Sequence, residues 1–308
     1  MAKDKKTEFK ESKKIDFRDQ IGKNKVNSVI LVVVVFIVLL AIIFFIGRAF
    51  GADIFVMLIL ATIISIVYVL ITYFNSAKIA LASVKAQEAD QVQHRELYNA
   101  VENMSIASGM PMPKVYVMPG DQINAFATGK DPQNSVVCVT EGALDKLNKQ
   151  ELEGVIGHEM SHVANYDIRF ITIVAVVVGA ISIFSQLFLR SLWFGGGRSS
   201  GDSDSGGNAI FLIVALVLAI IAPIIVKLVQ LAISRRREYM ADAGSVEFTR
   251  YPPGLIHALE KIKDDDGKIN VPDAVAPMFF SDTVKRNLAE LFQTHPNINK
   301  RIAALESM

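Results

Sequence analysis

Long uncharged runs alternate with polar stretches of shorter period along this chain. Ser28 to Ile46 is rich in Val, Ile, Leu and Phe and carries no charge. As a helix rising about 1.5 Å per residue it spans roughly 28 Å, close to the ~30 Å hydrocarbon core of a bilayer. A cleaved leader has an apolar stretch of only ~7–15 residues and then a small-residue cleavage site. Gly47-Arg48-Ala49-Phe50 offers no such site, so the run predicts a retained anchor. Gly51-Ala52-Asp53 interrupts it, and Ile54 to Phe74 forms a second uncharged run. A third covers Phe170 to Leu189 and a fourth Ala209 to Val226. Between these last two, Gly195 to Gly207 is a Gly/Ser-rich loop, and no Gly-Lys-Ser/Thr ends it as a phosphate-binding loop would.

The intervening stretches change period. Ala86 to Ser108 predicts a helix, with Val92, Leu97, Val101, Met104 and Ile106 apolar and Gly109 at its end. Pro113 to Met118, Ile123 to Thr128 and Ser135 to Thr140 read as strands. Thr140-Glu141 opens one helix and Asn148-Lys149-Gln150-Glu151 another. The expected organisation is a polar tail (1–27), two membrane helices (28–74), a first soluble part (75–169), two more membrane helices (170–233) and a second soluble part (234–308). This is an α-helical polytopic membrane protein with about four transmembrane helices and an α+β cytosolic domain. Basic flanks stay cytoplasmic. The tail, the Lys78–Lys85 region and Arg235-Arg236-Arg237 are basic, so four crossings place both termini in the cytosol. Trp193 falls just past the third run, where an interfacial aromatic belongs.

Composition sharpens this. Of 308 residues 51% are hydrophobic and only 20% charged, a shift toward the membrane class. The lone Cys138 excludes an internal disulfide. A net charge of +1 argues against nucleic acid as a partner, because phosphate binding needs concentrated positive charge. The uncharged runs make the lipid bilayer the expected partner.

His158-Glu159-Met160-Ser161-His162 is a His-Glu-x-x-His motif. On a helix, positions i and i+4 share a face, so both imidazoles can meet one ion. Glu159 is then placed to serve as general base. A catalytic zinc needs three protein ligands and an open position. Glu238 and Asp242 form a second i, i+4 pair, with Glu238 as the third ligand and Asp242 as partner of a ligating His or a proton donor. Two crossings separate the pairs, an even number, which returns them to one side of the membrane.

These residues resemble the HtpX family of membrane-bound zinc metalloproteases, relatives of the zinc-dependent CAAX prenyl endoproteases with a gluzincin ligand set. Further matches are Pro113 to Val117, Asn124-Ala125-Phe126-Ala127-Thr128-Gly129, and Thr294-His295-Pro296 followed by Arg301. The resemblance implies one Zn²⁺ per chain and a bacterial inner-membrane protease with a cytosolic site, acting on membrane proteins under stress. The long charged tail departs from the family's compact start.

Asn124, Ala125 and Phe126 begin a strand that, beside the metal helix, can pair with an extended substrate. Asn124 reads either as an amide donor to the scissile carbonyl or as a turn residue. His295 reads either as a substrate-site residue, by the resemblance, or as an N-terminal helix position before Pro296. His94 and His257 read as solvated or core-edge residues, and the Asp264-Asp265-Asp266-Gly267 run as a solvated turn. The competing class is a non-catalytic membrane scaffold with a structural zinc, which needs a fourth ligand such as Cys138 or His295. A transporter is disfavoured because the runs hold almost no intramembrane charge.

Overall fold

The computed structural model describes residues 17–49, 53–174, 235–267, 269, 271–272, 275–281 and 296–308. The tail before residue 17, the third run beyond residue 174, the fourth run, the Gly/Ser loop, Trp193 and His295 lie outside the described residues. The helices are α1 (Phe17–Ala49), α2 (Ile54–Ser83), α3 (Arg95–Ser108), α4 (Glu141–Lys146), α5 (Lys149–Ala164), α6 (Arg235–Thr249), α7 (Pro252–Asp264) and α8 (Ile298–Leu305). A further helical stretch covers 167–174. The strands are β1 (Gln87–Glu88), β2 (Lys114–Met118), β3 (Ala125–Gly129) and β4 (Ser135–Thr140).

Helix α2 starts where the Asp53 carboxylate accepts the Phe55 and Val56 N–H groups, at 2.8 and 3.1 Å. Among the described residues it is the one helix long and apolar enough to cross a membrane. It packs along α1, with small residues (Ser28 on α1; Ala61, Ser65, Thr72 and Ser76 on α2) buried. Small side chains let helix backbones approach closely. The outer face of α2 is apolar and exposed from Phe55 through Ile59, Ile63, Val67 and Ile71 to Phe74. Water tolerates so large an apolar face poorly; lipid does not oppose it. Phe170, Ile173 and Val174 join Leu31 and Leu39 in one cluster, so the stretch 167–174 enters against the α1–α2 pair.

Several boundaries differ from the sequence reading. Helix α1 starts at Phe17, inside the stretch expected to be a polar tail, and β3 begins at Ala125 rather than Ile123. Helix α2 runs past Phe74 to Ser83, because its last turns turn Ala77, Ala80 and Leu81 onto the sheet. The expected helix over Ala86 to Ser108 is instead β1, a turn and α3. The Asp90 carboxylate takes the Val92 and Gln93 N–H groups in an Asx turn, and Val92 is left exposed.

The sheet order is β1-β2-β4-β3, with β2 parallel to β4 and the other pairs antiparallel. The period of 2 sorts its residues onto two faces. Val115, Val117, Ala125, Ala127, Val137 and Val139 face the core built on α3 and α5. Met118, Phe126, Val136 and Cys138 face the end of α2 and residues Val275, Met278 and Phe279. Cys138 therefore lies in the apolar core on the α2 side.

Helix α5 is fixed at its start by a capping box between Asn148 and Glu151, and Lys261 reaches Glu151 at 2.6 Å. It crosses α6 at close range. The Ser245 hydroxyl donates to the Gly154 carbonyl at 2.6 Å, and Gly244 lies directly on the Ser161 side chain. A β-carbon at Gly244 would occupy the space of Ser161, so only glycine permits this approach. We expect Gly244→Val to push α6 away from α5, lowering stability by about 1–3 kcal/mol, the usual cost of overpacking. Denaturant unfolding would show the loss of stability, and metal titration a weaker affinity, since His158, His162 and Glu238 are held together by this crossing; an unaltered metal affinity would contradict the role of the crossing.

Candidate metal centre

The α5–α6 crossing brings three side chains to one point. His158 and His162 project from one face of α5, and Glu238 comes from the first turn of α6. Their nearest donor atoms all lie within 4.8 Å of one another. The two Nε2 atoms are 3.2 Å apart, and each is 3.6 Å from a Glu238 carboxylate oxygen. All three residues are buried. Two imidazoles and a carboxylate are a donor set suited to a borderline ion such as zinc.

Each histidine is held from behind. His158 Nδ1 donates to Asp242 at 2.9 Å, and Arg301 grips the same carboxylate at 2.7 and 2.9 Å. His162 Nδ1 donates to Asp167 at 3.1 Å, and Arg237 stands 3.7 Å from that carboxylate. A proton fixed on Nδ1 leaves the Nε2 lone pair free for a metal. Asp167 reaches His162 because the chain reverses after α5. Tyr166 takes a left-handed conformation there, φ 60°, one that non-glycine residues adopt only at a cost of order 1–3 kcal/mol. Asp167, Arg237 and Arg301 were missed as site residues by sequence reasoning. The available signal was a carboxylate just past the end of the metal helix and an arginine following Thr-His-Pro.

The charge count points the same way. Among the described buried groups around the histidines, four are carboxylates (Glu159, Asp167, Glu238, Asp242) and two are guanidinium groups (Arg237, Arg301). The pocket therefore holds two more acids than arginines, so with the acids ionised and the imidazoles neutral a divalent cation would balance it. Burial alone would lower the pKa of His162, but Asp167, Glu238 and Glu159 outweigh it and raise the value to about 9. Burial likewise opposes ionisation of Asp242, yet Arg301 and His158 hold its carboxyl below the usual range. With both oxygens engaged, Asp242 is arranged to position His158.

Glu159 faces the pocket beside the first histidine. Burial pushes its carboxyl above the usual range, Glu238 adds to this, and His158, His162 and the Ala127 N–H pull the other way. A carboxylate with a raised pKa is a better proton acceptor near neutral pH. Glu159, Ala127, Ile168, Ile171 and Met278 to Phe280 line the cavity with the three candidate ligands.

The other candidates fall in different places. Ala125 and Ala127 lie on the α5 side of β3, where a small side chain lets the strand approach Glu159. Phe126 points to the opposite face, 5.0 Å ring to ring from Phe279. The Asn124 carboxamide is buried and binds Ser281 twice, donating to its carbonyl and accepting its N–H, both at 3.1 Å. Cys138 lies in the core on the far face of the sheet and is not a member of the ligand cluster. Asp265 is not simply solvated: its carboxylate accepts from the Ile123 N–H at 2.6 Å and pairs with Lys146 at 2.7 Å.

Removing an outer partner of a metal-binding histidine typically costs ~10–100-fold in metal affinity. Asp167→Ala and Asp242→Ala should each weaken divalent-ion binding by about that factor, measured by chelator competition. Asp242→Ala should also lower stability by about 3–5 kcal/mol, since it leaves Arg301 buried without its carboxylate. Wild-type affinity in both variants would show that these contacts do not orient the ligands.

Residues 91–308 match the model of peptidase family M48. A protease HtpX homolog from Lactobacillus helveticus is 42% identical over 295 residues, covering 94% of this chain and 99% of that protein. One from Thermoanaerobacter pseudethanolicus is 46% identical over 253 residues, 82% of this chain and 84% of that protein. Among solved structures, S. mikatae Ste24p aligns with a TM-score of 0.47 at 19% identity; the match covers 93% of this chain and 66% of that one. The two buried histidines, the third carboxylate and Glu159 thus stand in a sequence whose relatives are proteases from end to end, and the chain belongs to the HtpX metalloproteases of peptidase family M48.

Proposed function

We propose that this metalloprotease is a zinc-dependent endopeptidase of the bacterial plasma membrane. It cleaves misfolded membrane proteins at the cytosolic face, in quality control under stress. The observation that carries the reading is the convergence of His158, His162 and Glu238 beside a buried Glu159. One zinc ion per chain, held by those three residues, would supply Lewis-acid polarisation of a peptide carbonyl and activation of water at neutral pH. Glu159 takes the proton from the attacking water and delivers it to the leaving amine. Asp242 and Asp167 keep the histidine Nε2 atoms directed at the ligand point. The edge of β3, at Asn124, Ala125 and Phe126, aligns an extended polypeptide by backbone pairing, and His295 contributes to substrate binding by its resemblance to the family's Thr-His-Pro segment.

The membrane assignment rests on the exposed apolar face of α2 and on what borders it. Four aromatic rings at the junction with the catalytic part each lie under a cation: Tyr73 under Arg169, Phe74 under Lys130, Tyr166 under Lys25 and Phe170 under Arg237. Aromatic and basic residues gather at the cytoplasmic interface of membrane proteins. Asp167, next to Tyr166, holds a candidate ligand, so the metal centre lies close to that interface. Multi-pass insertion with cytosolic termini follows from the same basic flanks.

General-base action contributes typically ~10²–10⁴-fold in rate. Purified Glu159→Gln should keep about one zinc per chain and lose activity on a membrane-protein substrate by at least that range. Equal cleavage by wild type and variant would remove Glu159 from the mechanism. The topology has its own measurement: in intact cells an impermeant thiol reagent should reach cysteines placed between residues 196 and 206 and miss those placed before residue 27. The reverse pattern would invert the orientation.

A further inference from the structure

The centre is closed. The cavity at the ligands and Glu159 measures ≈ 10 Å³, room for no more than one water. No peptide fits there. The cover is the segment 275–281, which makes a short 3-10 turn at Ala276–Met278 and continues extended through Phe279.

This segment takes the place a paired strand would have. β3 is the last strand of the sheet, bonded to β4 on one side. Backbone groups point alternately to the two sides of a strand. Thr140 N–H bonds to the Asn124 carbonyl from the β4 side, so Ala125 and Ala127 present their backbone groups to the open edge. On that edge Phe280 N–H donates to the Ala125 carbonyl at 2.8 Å. Ser281 is clasped through both its backbone groups by Asn124, and its hydroxyl lies 3.4 Å from the Ile123 carbonyl. Side chains alternate as well. Phe279 packs on Phe126 on the α2 face, and Phe280 turns to the α5 face. There the Phe280 ring sits 4.7 Å from the His158 ring and 4.8 Å from the Arg301 guanidinium.

We propose that residues 278–281 are an internal occupant of the substrate edge of β3, an autoinhibitory strap that must leave before a polypeptide can reach Glu159. The proposal rests on the peptidase reading above and deepens it. An incoming extended chain would form the Ala125 hydrogen bond that Phe280 now forms, and would need the space of the Phe280 ring over His158. Strap and substrate therefore compete for one set of donors and acceptors. The apparent affinity for substrate is the intrinsic affinity reduced by the fraction of molecules with the strap displaced.

The test uses full-length, zinc-loaded protein in detergent and a short extended peptide carrying a hydroxamate, which binds zinc without being cleaved. In the double variant Asn124→Cys, Ser281→Cys, a disulfide joins strap to strand, and free thiols are counted by mass spectrometry. Cys138 is buried, and burial raises its thiol pKa strongly, so it stays out of the exchange. The oxidised form should bind the hydroxamate at least roughly tenfold more weakly than the same protein reduced. Ser281→Pro removes the N–H that Asn124 accepts and needs no disulfide. Losing such a hydrogen bond should favour displacement, tightening the hydroxamate and raising the cleavage rate by on the order of fivefold at unchanged zinc content. Equal hydroxamate binding by oxidised and reduced protein would overturn the strap, as would wild-type binding by the proline variant. Binding that follows the strap while no form cleaves any substrate would leave the strap standing and overturn the peptidase reading instead.

Discussion

Everything at the centre depends on burying an excess of negative charge between α5 and α6. Four carboxylates and two guanidinium groups sit in a space from which water is almost excluded. An uncompensated carboxylate in such a place is costly, and the cost is met only by pairing or by a cation. Arg301 and Arg237 compensate Asp242 and Asp167. Glu238 and Glu159 are left facing the Nε2 atoms of the two imidazoles. That is a poor arrangement for a protein core and a good one for a divalent metal. The fold thus carries a local electrostatic deficit, of the kind that metallopeptidases in this family put to use.

The packing around the deficit has one purpose in common. Glycine at 244 allows α6 to approach α5, alanine at 125 and 127 allows β3 to approach Glu159, and a strained Tyr166 returns the chain so that Asp167 supports His162. Each is a small residue, or a conformation that costs free energy, at a point where two elements must come close. Stability is supplied instead by the wider apolar cluster on α3, α5, α7 and the sheet. The same helix order ties the centre to the membrane: α5 ends, the chain turns within two residues, and the next helix packs on α1 and α2.

Much was legible in the sequence because the signals were local. The first two uncharged runs, the Thr140 and Asn148 helix starts, the Gly109 stop and the strand at Ser135–Thr140 each follow from side chains within a few residues of the backbone they control. The His-Glu-x-x-His spacing is local too, since helical geometry alone puts both imidazoles on one face. The reading failed where a local competitor won: the Asx turn at Asp90 displaced the first turns of the helix expected from residue 86. It also failed where a charge run looked solvated but Asp265 was drawn onto Ile123 and Lys146 across more than a hundred residues of chain.

What sequence alone determined was the set of chemical groups and their side of the chain: two imidazoles, a neighbouring base, a second acidic pair, and apolar runs long enough for lipid. Only tertiary structure decided which atoms meet. The position of Arg301 after Thr-His-Pro marks it without naming Asp242 as its partner, and Asn124 reads as a substrate donor or as a turn residue until Ser281 is found in its grasp. Both contacts join segments far apart in sequence. They exist because hydrogen-bonding groups removed from water must find partners inside the protein, and the path of the whole chain determines which partners are within reach.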